Sequence, residues 1–77
     1  MNQPVLHLRI VGTTRKYLVH EILNAVVRSK RNRIRQLDFS QLDHSQRGFL
    51  NIELHEPAQT LIRRISAVEG VLKVVST

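Results

Sequence analysis

Seventy-seven residues make one small domain, expected to span 1–77, with no room for a second domain or a deep, fully enclosed pocket. Apolar residues at 42% and charged residues at 23% mark a globular chain, and no apolar run approaches the length of a membrane span or a signal-like start. The lack of cysteine excludes a disulfide framework and a thiolate metal site, so the cytosol is the expected compartment, and the net charge of +6 raises the question of an anionic partner.

Residues 5–11 read as a strand, because Leu6, Leu8 and Ile10 fall on one side and His7 and Arg9 on the other. Gly12 breaks that alternation, and Thr13 or Thr14 is a candidate cap for the helix that follows. Over 15–29 the period becomes helical. Leu18, Ile22, Ala25 and Val26 form one stripe, and Val19, Leu23 and Val27 widen it to about half the circumference at about 100° per residue. A helix that only lines a core needs less, so Leu23 and Val27 are candidates for contact with another chain, or else for packing against the N-terminal tail or a loop. Asn32 marks a turn into a strand over 33–41, where Ile34 stands one residue out of step with Leu37 and Phe39; that offset predicts a bulge or bend. A polar turn is expected over 43–48, then a strand over 49–55 with Leu50, Ile52 and Leu54 inward, which completes a hairpin. Pro57 suits the first turn of a second helix, whose stripe is Ala58, Leu61, Ile62, Ile65 and Val68; Gly70 is expected to end it. A last strand covers 71–75, with Leu72 and Val74 inward.

The order is β-α-β-β-α-β. Two helices of this length cannot cover both faces of four strands, so they share one, and right-handed crossovers make the chain an α+β, ferredoxin-like sandwich with a four-stranded antiparallel sheet. The open face would carry His7, Arg9, Phe49, Asn51, Glu53 and Lys73, with Arg9, Glu53 and Lys73 expected to pair across strands. A core this small barely offsets an ordering cost on the order of 100 kcal/mol, which points to a subunit that docks or dimerises.

No catalytic constellation is visible. His7, His20, His44 and His55 show no helical pairing that would converge on a metal, the adjacency of Asp43, His44 and Ser45 has no bearing on a triad, and a single Gly12 is not a phosphate loop. The expectation is a protein without enzyme activity, metal or cofactor. Arg28, Lys30, Arg31, Arg33 and Arg35 form a basic run, which suits either a solvated helix end or a grip on an acidic partner. Arg47-Gly48-Phe49 matches the opening of the octamer of RNA-recognition modules, but Asn51, Glu53 and His7 stand where stacking rings or a neutral platform are needed, so nucleic-acid binding is a secondary reading.

Gly12 at the end of the first strand, the opening Arg15-Lys16-Tyr17-Leu18, and the closing run Val68-Glu69-Gly70-Val71-Leu72-Lys73-Val74 together resemble an ACT domain, the small-molecule-sensing regulatory module of amino-acid metabolism. Within that family, Asn51-Ile52-Glu53-Leu54 and Ile22-Leu23-Asn24-Ala25-Val26-Val27-Arg28 look like the short regulatory subunit of acetolactate synthase. The resemblance implies a cytoplasmic, non-catalytic homodimer that binds the catalytic large subunit of a thiamine-diphosphate enzyme and raises its activity, in branched-chain amino-acid biosynthesis. Leu23, Val27 and the five cations of the basic run are the expected partner contacts. An amino-acid effector, if bound, would lie by position at Gly12, Thr13, Thr14 and Leu18. Members that bind one usually carry Gly where Tyr17 stands, and a ring there is expected to crowd the anion site at the helix start. The ACT modules of stringent-response synthetases and of magnesium-transport-associated proteins are the alternative likenesses; a start at Met1 weighs for a free-standing chain.

Overall fold

Period-two alternation carries β1 (Val5–Gly12), β2 (Arg33–Leu42), β3 (Ser45–Glu53) and β4 (Val71–Ser76), and a 3.6 period carries α1 (Leu18–Val27) and α2 (Ala58–Ser66). The computed structural model describes residues 4–77 of the expected domain. The strands form one sheet in the order β2-β3-β1-β4, with every neighbouring pair antiparallel. Leu8 and Ile10 of β1 and Leu50 and Ile52 of β3 share one buried cluster with Leu18, Ile22, Ala25 and Val26 of α1 and Leu61 and Ile65 of α2. Both helices therefore cover the same side of the sheet, and the architecture is the α+β ferredoxin-like sandwich that the element order predicts.

Four local readings change. First, α1 begins at Leu18 rather than at 15, because the preceding residues form a turn in which the Leu18 N–H donates to the Arg15 carbonyl at 3.1 Å. Tyr17 is the N-cap and no side chain caps it; Thr13 instead donates its backbone N–H to the Gly70 carbonyl at 2.8 Å. Second, the hairpin turn is only Asp43 and His44. Residues 45–48 belong to β3, and Asp43 takes the left-handed conformation (φ 47°) that so tight a turn demands. Third, α2 ends at Ser66, where the Ala67 N–H reaches back to Arg63 at 3.0 Å, so Gly70 (φ 96°) turns the chain into β4 instead of ending the helix. Fourth, the register slips between Val11 and Gly12, which leaves Leu72 unpaired and 67% exposed; Val74, opposite Ile10, faces in as expected.

The misplaced Ile34 has the predicted consequence. Register shifts between Ile34 and Gln36, so Arg35 is the bulged residue, and Leu37 and Phe39 return to the helix-covered side opposite Leu50 and Gly48. Gly48 is needed there: a Cβ on it would stand 2.5 Å from the Phe39 ring. No helix among the described residues is long and apolar enough to cross a membrane.

Candidate functional site

Three regions hold the residues singled out by sequence. At one end of the sheet, the β1–α1 loop meets the α2–β4 turn. Gly12 is buried, and a Cβ there would lie 2.4 Å from Leu18 Cδ2 and 2.9 Å from the Gly70 carbonyl oxygen, so Gly12, Thr13 and Leu18 are drawn together by close packing. The Leu18 side chain is wholly buried in the core, whereas Thr14 is exposed. Tyr17 is 59% exposed, with Lys16 Nζ 5.4 Å from its ring centre. Gln46, which carries no expected role in the sequence, and Arg15, expected only as part of the helix opening, fix this loop. Gln46 of β3 donates its amide to the carbonyls of Thr13 (2.9 Å) and Arg15 (3.3 Å). The Arg15 guanidinium bonds the Glu21 carboxylate in the first turn of α1, the Glu69 carbonyl at 3.2 Å and the Glu69 carboxylate at 3.3 Å. The Glu21 bond, and to a lesser degree the two nearby carboxylates, raise the Arg15 pKa against the opposing effect of burial. An anionic ligand at the start of α1 would have to compete with Glu21 for this guanidinium.

At the opposite end, the basic run surrounds one buried polar residue. Asn32 is 5% exposed; its amide donates to the Val26 carbonyl (3.1 Å) and the Glu56 carboxylate (2.5 Å), and its carbonyl accepts from the His55 backbone N–H (2.9 Å). Glu56 in turn pairs with Arg64 of α2 at 2.5 Å, and Arg64 also donates to the Ala25 carbonyl at 2.8 Å. The Arg64 bond, helped by the Asn32 amide, holds the Glu56 carboxyl below its ordinary range despite burial. This latch joins the end of α1, the start of β2 and the β3–α2 connection. Around it Arg28, Lys30, Arg31, Arg33 and Arg35 are all exposed. Of the surplus apolar edge, Leu23 packs partly on the chain's own core while Val27 stays 47% exposed.

The third region is the open sheet face. Glu53 does not pair with Arg9 or Lys73: the bulge brings Arg35 within 3.2 Å of one carboxylate oxygen, and the His55 ring lies 3.7 Å from the other. Arg9 stacks instead on Phe49, its guanidinium carbon 5.2 Å from the ring centre. His7 hydrogen-bonds Asn51 at 2.7 Å, and Asn51 donates to Gln36 at 2.9 Å. Among the described residues, no group of three or more His, Asp or Glu side chains is placed to hold a metal.

No protein-family model matches the chain, and no curated protein matches it. Solved structures do. The crystal structure of the ACT domain from GTP pyrophosphokinase of Chlorobium tepidum superposes with a TM-score of 0.81 at 23% identity, covering 99% of this chain and 100% of that one. The chain has the ACT-domain fold. The solution structure of the same domain gives a TM-score of 0.78 at 22% identity, covering 100% and 89%. The C-terminal domain of the MgtC protein from Mycobacterium tuberculosis is similar too, with a TM-score of 0.75 at 17% identity over 99% of this chain and 87% of that domain.

Proposed function

We propose that this chain is a regulatory module of the ACT type, without activity of its own, that acts by contact between proteins. The observation that carries this reading is the end-to-end likeness to an ACT domain. It is supported by an interior filled with packed apolar side chains from both helices and the two central strands. The finer reading is the small subunit of acetolactate synthase: a cytoplasmic homodimer that docks on the catalytic large subunit, a thiamine-diphosphate enzyme, and activates it. The segments Ile22-Leu23-Asn24-Ala25-Val26-Val27-Arg28 and Asn51-Ile52-Glu53-Leu54 support this reading. So does the display of the basic run around the Asn32 latch, which ties down the backbone of that segment and suits an acidic partner surface.

A second reading, the regulatory module of a stringent-response synthetase or of a transport-associated protein, is favoured by the likeness to domains of a GTP pyrophosphokinase and of an MgtC protein. Affinity purification from the native cell separates the two. Recovery of a thiamine-diphosphate enzyme supports the first, and recovery of a nucleotide synthetase or a transport protein supports the second. Recovery of the chain with no protein partner under gentle conditions overturns both. An amino-acid effector is a separate question, answered by calorimetric titration with valine, leucine and isoleucine. Tight binding abolished by Thr13→Ala would place the effector at the β1–α1 loop, beside the Arg15–Glu21 pair.

A further inference from the structure

The register of the open sheet face sets six side chains in a block of two rows. Phe49, Arg9 and Val75 lie opposite one another on β3, β1 and β4, and Arg47, Val11 and Lys73 lie opposite one another in the adjacent row. Around them is an open depression of about 470 Å³, lined by Arg9, Val11, Arg47, Phe49, Lys73 and Val75. Phe49 is 50% exposed and Val75 37%. Among the described residues, Arg9, Arg47 and Lys73 enter no ion pair, whereas Arg15, Arg35 and Arg64 all do. The nearest acid by register is Asp38, opposite Phe49 on β2. Three unneutralised cations thus frame a flat ring and a small apolar floor.

We propose that this face binds single-stranded nucleic acid, with a base stacked on the Phe49–Arg9 pair and phosphates held by Arg47 and Lys73. Rings and guanidinium planes are the surfaces on which unpaired bases stack, and Arg and Lys supply the phosphate contacts that dominate affinity. Strands are about 4.8 Å apart, so Arg47 and Lys73, separated by β1, stand about 10 Å apart in the row beside Phe49 and Arg9, within reach of the phosphates that flank a base stacked there. A second copy of this chain is a poor occupant, since it would set three cations against three. A duplex fits poorly as well, because a flat sheet offers no helix or ribbon to a groove. The carboxylate that counts against this reading in the sequence is removed from the platform: Glu53 lies at the far end of β3, held by Arg35 and His55. The row beyond Phe49 is occupied by the bonded His7–Asn51–Gln36 chain, so the site is short, one stacked base with its flanking phosphates.

The test is fluorescence anisotropy of a labelled oligouridylate of about twelve nucleotides, within the site sizes of single-strand-binding folds. Polyglutamate and a duplex of equal length serve as competitors. Phe49→Ala is expected to weaken binding about tenfold with an unchanged circular dichroism spectrum, and Phe49→Trp to restore it. Arg47→Gln with Lys73→Gln is expected to lower the slope of log affinity against log salt by about 1.4, at about 0.7 per phosphate. Undetectable binding at low salt overturns the proposal, as does polyglutamate competing as well as unlabelled oligouridylate, which would assign the face to an acidic protein. An equal or larger loss on neutralising Arg28, Lys30 and Arg31 also overturns it. None of these outcomes depends on whether the chain docks on a catalytic partner.

Discussion

Asn32 concentrates more structure than any other single side chain in the basic run. It satisfies the Val26 carbonyl at the end of α1, the His55 N–H and one oxygen of Glu56, all from a buried position. Replacing it with Ala leaves those groups in need of partners, and we expect Asn32→Ala to cost about 1–3 kcal/mol in urea denaturation, without loss of the exposed cations. Glu56 gives the latch a pH dependence. Its folded pKa lies below the ordinary 4.5, so its contribution is complete above that value and is lost as the pH falls through the lowered folded value. Glu56→Gln should therefore destabilise the chain by about 2 kcal/mol at pH 7, and the gap between variant and parent should narrow on acidification to pH 3. A gap that stays constant or widens in acid would contradict this assignment. In the sequence Asn32 is only a turn marker, because an amide among five cations looks like any other polar residue until the fold brings His55 and Glu56, more than twenty residues away, around it.

Among the elements, strands and helices were legible wherever an apolar period ran against a covered face, as in β1, α1 and α2. The ends of elements were not. Gln46 and Arg47 read as turn residues, yet both belong to β3; Gln46 points its amide at the β1–α1 loop carbonyls, so a polar side chain holds an inward position by hydrogen bonding. A strict period of two puts Leu72 inward, since alternation alone cannot foresee the slip between Val11 and Gly12. The β2 slip was foreseeable, since Ile34 visibly breaks step. That bulge has a measurable role. Deleting Arg35 would restore simple alternation with Arg33 and Ile34 still opposite Glu53 and Ile52, and would remove the cation paired with Glu53. We expect the deletion variant to keep its fold and lose about 0–1 kcal/mol, the value of an exposed ion pair, with an unchanged near-ultraviolet signal from Phe39; a drop of many degrees in the thermal midpoint would contradict this register. The candidate site was legible in part: the exposure of the basic run could be read from charge alone, but the pairing of Glu53 with Arg35, and the release of Arg9 onto Phe49, depend on register.

For the molecule as a whole, the two helices and the sheet do not match in width. The core draws on β1 and β3, whereas no residue of β2 is fully buried, and Leu37 is 39% exposed although it lies on the helix-covered side. β2 is also an edge, with one row of backbone groups unpaired by the sheet. The β2–β3 hairpin is therefore held chiefly by its own ladder, and β2 should peel away before the rest gives. In deuterium exchange its amides should lose protection at a lower free energy than those of β1, where global unfolding alone gives access. Uniform exchange across all four strands would argue against such piecemeal loosening. A companion chain that lays its own backbone along that margin would slow the exchange of β2 selectively, turning an open border of the fold into a reporter of who has arrived.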